Sequence, residues 1–304
     1  MRAVVATEHG GPAVLAVREV AEPTPGSGEI LIRVTSAGIN FSDLGTIAGT
    51  YPGPPPPFVP GIEVAGHELR SGRPVVALLD AGGYAEVAVA KELLTFDADG
   101  LELGEAGGYP LALLAAYFGL VRAAKLRSGE SVLVFAAAGA LGSNTIQVAR
   151  ALGASRVIAV ASTEEKRRMA IDLGADEALS YEDELPGVDV VVDGVGGEAF
   201  LAGYRAAKRF GRVLTVGASA GRPPQIPSFQ ELRERSVAIV PFSFKALRAA
   251  EPDYVAQAAP AALDLVRTGT VAPLIGQAVP LEQARDALGL LAGRASVGKL
   301  LLVP

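Results

Sequence analysis

The sequence predicts a two-part α/β protein: a β-rich opening, a doubly wound parallel-sheet domain, and a tail that rejoins the opening. Three observations support this. The first hundred residues are short extended segments interrupted by glycine and proline. After about Glu105, near-continuous Val/Ile/Leu runs alternate with helical stretches, the pattern of a parallel sheet covered on both faces. The closing residues read as a helix and then a strand, outside that alternation.

Taken in order, VVAT, EILIRVTSAG, VVALL and YAEVAVA have the alternation or β-branched content of strands. Residues 49–61, GTYPGPPPPFVPG, read as a stiff extended loop. SVLVFAAAGALGSNTIQVARALGA is a strand, a small-residue turn and an amphipathic helix. RVIAVAST with EEKRRMAIDLGAD, and VDVVVDGVGG with EAFLAGYRAAKRFG, repeat the strand-then-helix unit. RVLTVGASAG and SVAIVPFSF add two more strands, and the tail ends on a strand from Lys299 to Val303.

Composition narrows the function. The 304 residues suit one large domain or two ordinary ones. A net charge of −6, without any dense basic block, argues against nucleic acid or an anionic membrane as partner. With no cysteine there is no disulfide, thiolate nucleophile, iron–sulfur site or Cys-based zinc site. The start MRAVVATEHGGP does not read as a signal peptide. The longest uncharged apolar run, residues 107–121, falls short of the ~18 residues that span a bilayer. A soluble, cytoplasmic protein is expected.

A dinucleotide site is the clearest motif. In the G-x-G-x-x-G fingerprint, the three glycine places fall on Ala137, Gly139 and Gly142, after a strand and before a helix. Ala138, Gly139, Ala140, Leu141 and Gly142 are the candidate pyrophosphate cradle, where a helix N-terminus favours negative charge. The second strand ends Ala161-Ser162-Thr163, not on the acidic residue that binds the ribose hydroxyls of NAD, and Lys166, Arg167 and Arg168 follow. A hydroxyl beside cations attracts a 2′-phosphate, so NADPH is expected over NADH. Val195 and Gly196 after Asp193, and Gly217 with Ser219, end the next two strands, where ligands bind in such sheets.

The chain resembles the zinc-independent quinone oxidoreductase (zeta-crystallin-like) family of the medium-chain dehydrogenase/reductase superfamily. The resemblance rests on AGINFSDLGTIAGTYP, PGIEVAG, AAAGALGSNTIQVARALGA and GRASVGKLLLV, spread over nearly the full length. It implies a GroES-like catalytic domain over residues 1–112 and 252–304, with a Rossmann NADP-binding domain inserted at 113–251. It also implies NADPH-dependent reduction of a quinone or α,β-unsaturated carbonyl, and a homodimer. Asn40, Tyr51 and Asp43 match positions near the nicotinamide and substrate: Asn40 to orient the carbonyl, Tyr51 to donate a hydrogen bond or proton, Asp43 to orient its neighbours. Ser162, Lys166 and Tyr181 match places that hold the 2′-phosphate. Phe242 and Phe244 match a loop packed on the nicotinamide side, and Lys299 a tail segment approaching the cofactor.

The resemblance also places the metal. Zinc-dependent members have a Cys ligand in G-x-C-x-x-D and a His ligand in P-G-H-E-x-x-G. Here Asn40 and Ile62 stand at those two places. His67, within Gly66-His67-Glu68, comes five residues too late, and isoleucine offers zinc nothing. No metal is expected. Tyr204-x-x-x-Lys208 spells the short-chain dehydrogenase dyad, but in the wrong order along the chain, and reads as an exposed i, i+4 helical pair. Two alternatives stand beside the quinone reductase: a 2-enoyl thioester or alkenal reductase on the same fold, and a non-catalytic NADPH-binding sensor or structural protein.

Overall fold

Two units make up the chain in the computed structural model, which describes residues 1–221 and 225–304. Met1–Leu111, Glu251–Arg267 and Pro273–Pro304 form the first; Ala112–Ala250 and Thr268–Ala272 form the second.

The first unit begins with an antiparallel pair, β1 (Arg2–Ala6) and β2 (Leu15–Glu19). Its main sheet is organised by β3 (Glu29–Ile39), followed by the short helix α1 (Phe41–Ile47). β4 (Glu63–Glu68) and β5 (Pro74–Leu78) make a tight antiparallel hairpin around the HELRSGRP stretch. β6 (Val87–Lys91) pairs with β3, and β7 (Thr95–Asp97) with β5. β4 is buried on both faces from Glu63 to Gly66, and His67, near its end and opposite Pro74, is its one exposed residue. α2 (Leu103–Ala106) then leads to α3 (Pro110–Phe118).

In the second unit, six strands run parallel: β8 (Ser131–Phe135), β9 (Arg156–Val160), β10 (Glu177–Leu179), β11 (Val188–Asp193), β12 (Ala207–Thr215) and β13 (Ala238–Pro241). Their order is β10-β9-β8-β11-β12-β13, so the chain reverses its direction of travel between β8 and β11. That reversal opens a crevice beyond the carboxyl ends of the strands. The crossovers are α4 (Ala140–Ala151), α5 (Glu164–Asp172), α6 (Gly197–Ala206) and α7 (Phe229–Arg235), and α8 (Phe244–Ala250) follows β13. Leu133, Ile158, Val160, Val191, Phe200 and Val213 form the core of this unit. Burying each such side chain fully contributes ~1.5–3 kcal/mol.

The chain re-enters the first unit through α9 (Pro252–Arg267), then β14 (Ile275–Pro280), α10 (Ala284–Ala292) and β15 (Lys299–Val303). β15 pairs parallel with β14 and antiparallel with β3, placing Leu300 opposite Ile39 and Leu301 opposite Gly38. Leu300 and Leu302 thereby join Val4, Ile32, Val64 and Val75 in one core.

Several sequence expectations need correction. β2, β10 and β14 carry little signal in the sequence, because each is short or half-exposed and lacks a strong apolar run. The helix expected over EAFLAGYRAAKRFG ends at Ala206 and passes directly into β12. Tyr204 and Lys208 therefore do not share a helix face. Tyr204 is buried under the Arg235 guanidinium, 5.1 Å from its ring centre, whereas Lys208 reaches Asp189 from β12. No helix among the described residues is long and apolar enough to cross a membrane.

Candidate active site

In the second unit, the carboxyl ends of the parallel strands gather most of the expected cofactor residues. Gly139 is the N-cap of α4 and supplies no side-chain cap, and no acidic residue lies in the first turn. The first N–H groups of such a helix have no intrahelical partner and form an anion site. Gly142 meets a strict steric demand: a Cβ there would lie 2.4 Å from the Ala136 carbonyl oxygen and 2.7 Å from Ala137 Cα. The turn is tight because Ala136 itself takes a left-handed conformation, φ 51°. Its N–H donates to the Tyr181 hydroxyl at 3.3 Å, and the Tyr181 ring stacks on Phe135 with centroids 6.0 Å apart. These residues fit a dinucleotide: bare amides, close backbone approach and no carboxylate to repel phosphate.

Ser162, Lys166 and their neighbours stand at the end of β9. Ser162 is exposed, Thr163 caps α5 by accepting the Lys166 N–H at 3.2 Å, and Arg167 Nη1 donates to the Ala161 carbonyl. Across the crevice, the loop after β11 turns on buried Asp193, whose carboxylate accepts the Val195 and Gly196 N–H groups. Burial raises the Asp193 pKa, partly offset by those two donors. The loop after β12 is laced to it: Ser219 N–H donates to Gly194 and Ala220 N–H to Val195. Val195, Gly217 and Ser219 are thus brought to the same edge as the glycine turn. Phe242 is half-buried there, its N–H donating to the Thr215 carbonyl at 2.9 Å.

Phe244 is placed otherwise. It is buried and stacked on Phe118, centroids 5.6 Å apart, so it serves the core of the unit. Lys299 belongs to the first unit and has its ammonium engaged there.

In the first unit, the expected catalytic residues fall into two environments. Asn40 and Asp43 are buried at the start of α1, and Asn40 N–H donates to Asp43 Oδ2 at 2.8 Å. Asn40 Nδ2 donates to the Gly38 carbonyl (3.2 Å) and to Glu63 Oε1 (2.9 Å), while Lys299 Nζ donates to Asn40 Oδ1. Both amide hydrogens are therefore held by protein acceptors. Asp43 also accepts from the Tyr84 hydroxyl at 2.6 Å. Burial pushes the Asp43 carboxyl up to about 6, although the Tyr84 and Asn40 donors pull it down. Burial, then the Asp43 charge, holds the Tyr84 phenol well above its usual value, so it remains a donor. Tyr51, in contrast, is 52 % exposed, its ring against Gly45.

Glu63 and Tyr84 carry no motif that marks them in the sequence. Glu63 stands there only as part of PGIEVAG, yet it is wholly buried and also accepts the Leu111 N–H through Oε2 at 2.6 Å. A carboxylate amid apolar strand residues is the signal that could have found it. The Ser42 hydroxyl, buried without a hydrogen-bond partner among the described residues, also escapes a reading of the sequence.

This donor set does not suit zinc. Asn40 and Ile62 provide no thiolate or imidazole, and a lysine ammonium already lies against the Asn40 and Glu63 oxygens. Among the described residues there is no group of three or more His, Cys, Asp or Glu side chains arranged for a metal.

Comparison with known proteins finds two family models along the chain. Residues 26–97 match the alcohol dehydrogenase GroES-like domain, and residues 140–266 match the model described as zinc-binding dehydrogenase. The bovine (Bos taurus) quinone oxidoreductase-like protein 2 is 31 % identical, over 99 % of this chain and 92 % of that protein. The quinone oxidoreductase from Thermus thermophilus, solved also with NADPH, is 34 % identical with a TM-score of 0.87, both chains covered completely. The Escherichia coli quinone oxidoreductase complexed with NADPH has a TM-score of 0.92 at 26 % identity, again over both whole chains. With its glycine turn, its reversed parallel sheet and its split β-rich unit, this oxidoreductase chain belongs to the zinc-independent quinone oxidoreductase family of the medium-chain dehydrogenase/reductase superfamily.

Proposed function

We propose that the protein is an NADPH-dependent reductase that passes hydride to a quinone or an α,β-unsaturated carbonyl without a metal. The observation that supports it best is the turn at residues 136–142, bare of acidic groups, beside a second strand that ends on Ser162. When bound, NADPH supplies the hydride from its nicotinamide ring.

The chain provides binding, orientation and electrostatics. The N–H groups at the start of α4 hold the pyrophosphate, and Ser162 with Lys166 recognises the 2′-phosphate. Tyr181 braces the turn through Ala136. In the first unit, Tyr51 is the exposed hydroxyl that donates a hydrogen bond or proton to the acceptor oxygen. Asn40 and Asp43 hold the backbone at the start of α1, Asn40 through a side chain whose donors are already engaged. Asn40 is therefore assigned a positioning role in place of direct donation to the carbonyl.

A homodimer and a cytoplasmic location belong to the same reading, with β10 and β13 as the two edges of the parallel sheet; sedimentation of the purified protein checks the first. The test of function is direct. Purified protein is mixed with NADPH and 1,4-benzoquinone, an enone and an enoyl thioester in turn, and loss of the reduced-nicotinamide absorbance is followed. Turnover of quinone or enone is expected. Turnover of the thioester alone identifies an enoyl thioester reductase, and NADPH binding without turnover of any acceptor identifies a sensor.

A further inference from the structure

The interior of the first unit contains a cation. Lys299 is 2 % exposed, and the β3–β15 register that sets Leu300 opposite Ile39 carries it to Asn40. Its Nζ donates to Asn40 Oδ1 at 2.5 Å and forms an ion pair with Glu63 Oε1. Asn40 Nδ2 closes the ring by donating to the same Glu63 oxygen. The backbone makes room for this group: a Cβ on Gly38 would lie 2.3 Å from Glu63 Oε1, and one on Gly108 2.7 Å from Lys299 Cγ. A charge is buried so deeply only when it is paired and hydrogen-bonded. Here each member of the ring contacts the other two, and the Gly38 carbonyl and the Leu111 N–H complete the hydrogen bonding of Asn40 Nδ2 and of Glu63.

By the family resemblance, Asn40 stands where zinc-dependent members have a cysteine ligand, and Glu63 follows Ile62, at the place of their histidine ligand. The positive charge at this place therefore comes from the chain itself. We propose that Lys299 is a built-in replacement for the metal ion, its ammonium taking the cation's place against the Asn40 and Glu63 oxygens as a positioning residue. An ammonium has three N–H donors and no vacant coordination position. It fixes acceptors but does not polarise a substrate as a Lewis acid does. Two consequences follow: the Asn40 amide is locked in one orientation, since a flip would point its NH₂ at the ammonium, and a divalent cation is kept out by the resident charge.

The test compares the wild type with Lys299→Met, Lys299→Arg, Glu63→Gln and the double variant Lys299→Met/Glu63→Gln. Lys299→Met strands a buried carboxylate and is expected to lower the Tm by roughly 5–10 °C. The double variant, with neither charge, is expected to lose less than the sum of the two single losses, and Lys299→Arg to retain most of the Tm. If Lys299→Met fails to fold, the double variant and Lys299→Arg still decide the matter. Additive losses, or Lys299→Arg as damaging as Lys299→Met, would overturn the proposal. After incubation with zinc chloride and desalting, the wild type is expected to retain no zinc; stoichiometric retention overturns it. In quinone turnover, the double variant is expected to lose kcat about tenfold with KM for NADPH little changed, and an unchanged kcat also overturns it. The melts and zinc content need no acceptor, so they judge this proposal even if the reductase reading fails.

Discussion

Tyr84 donates its hydroxyl hydrogen to Asp43 Oδ2 at 2.6 Å, and the same oxygen accepts the Asn40 N–H at 2.8 Å. Two donors thus support a carboxylate that is only 2 % exposed. Tyr84→Phe removes one donor and leaves the ring packing intact. It is expected to cost about 1–3 kcal/mol at neutral pH, less at pH 4, where the carboxyl is largely protonated. Urea unfolding at the two pH values checks this.

Asp43 also sets a pH dependence whose sign runs opposite to that of most carboxylates. Its pKa rises from 3.8 to about 6 on folding. The folded state therefore binds the proton more tightly, and stability from this group is full below pH 3.8 and lost as pH rises through about 6. Asp43→Asn, which keeps an acceptor for Tyr84 and Asn40, removes this dependence. Relative to wild type it is expected to gain about 3 kcal/mol between pH 4 and pH 7, as an upper value. Paired unfolding curves across that range would show the two stabilities diverging; parallel curves would rule out the buried carboxyl as the source.

Gly142→Ala forces a methyl group against the Ala136 carbonyl. The neighbours are backbone, so the turn itself must move. Overpacking of this kind costs about 1–3 kcal/mol, and NADPH affinity is expected to fall at least tenfold because the cradle shifts with it. Calorimetric titration with NADPH, alongside a thermal melt, separates the two effects.

Ser162 sits exposed at the end of β9, next to the capped start of α5. Ser162→Asp places a negative charge where the 2′-phosphate is proposed to bind. NADPH affinity is expected to drop more than tenfold while NADH affinity holds or improves. Equal losses for both cofactors would place the phosphate elsewhere.

Tyr51 is half-exposed, with its ring resting on Gly45. Tyr51→Phe keeps that ring contact and should leave the Tm unchanged. If the hydroxyl assists the acceptor oxygen, kcat falls about tenfold to a hundredfold; an unchanged kcat with quinone assigns the ring to packing alone.

Much of the proposed cofactor site is legible in the sequence because it is local. The run from Val132 to Gly142 spells a strand, a turn and a helix start, and the spacing of Gly139 and Gly142 follows from the geometry of that turn. Ser162 and Lys166 emerge in the same way, one strand later. A Phe after a strand, such as Phe244, reads the same whether it meets a ligand or another ring, and the Phe118 on which it stacks is far away in the chain. Tyr204 misleads because the helix ends at Ala206, where no glycine or proline marks the stop.

The amino-acid order by itself determined the α/β class, the two-part organisation, the glycine turn between strand and helix, and the absence of a cysteine or histidine ligand at Asn40 and Ile62. These depend on periodicity, turn chemistry and residue identity, all of which act over a few neighbours. Only the tertiary structure decided what Asn40, Glu63 and Lys299 do together. Lys299 lies 259 positions from Asn40, and the two meet solely because β15 returns to pair with β3. Burial then makes the pairing obligatory: with no water to solvate them, a carboxylate, an amide and an ammonium must satisfy one another.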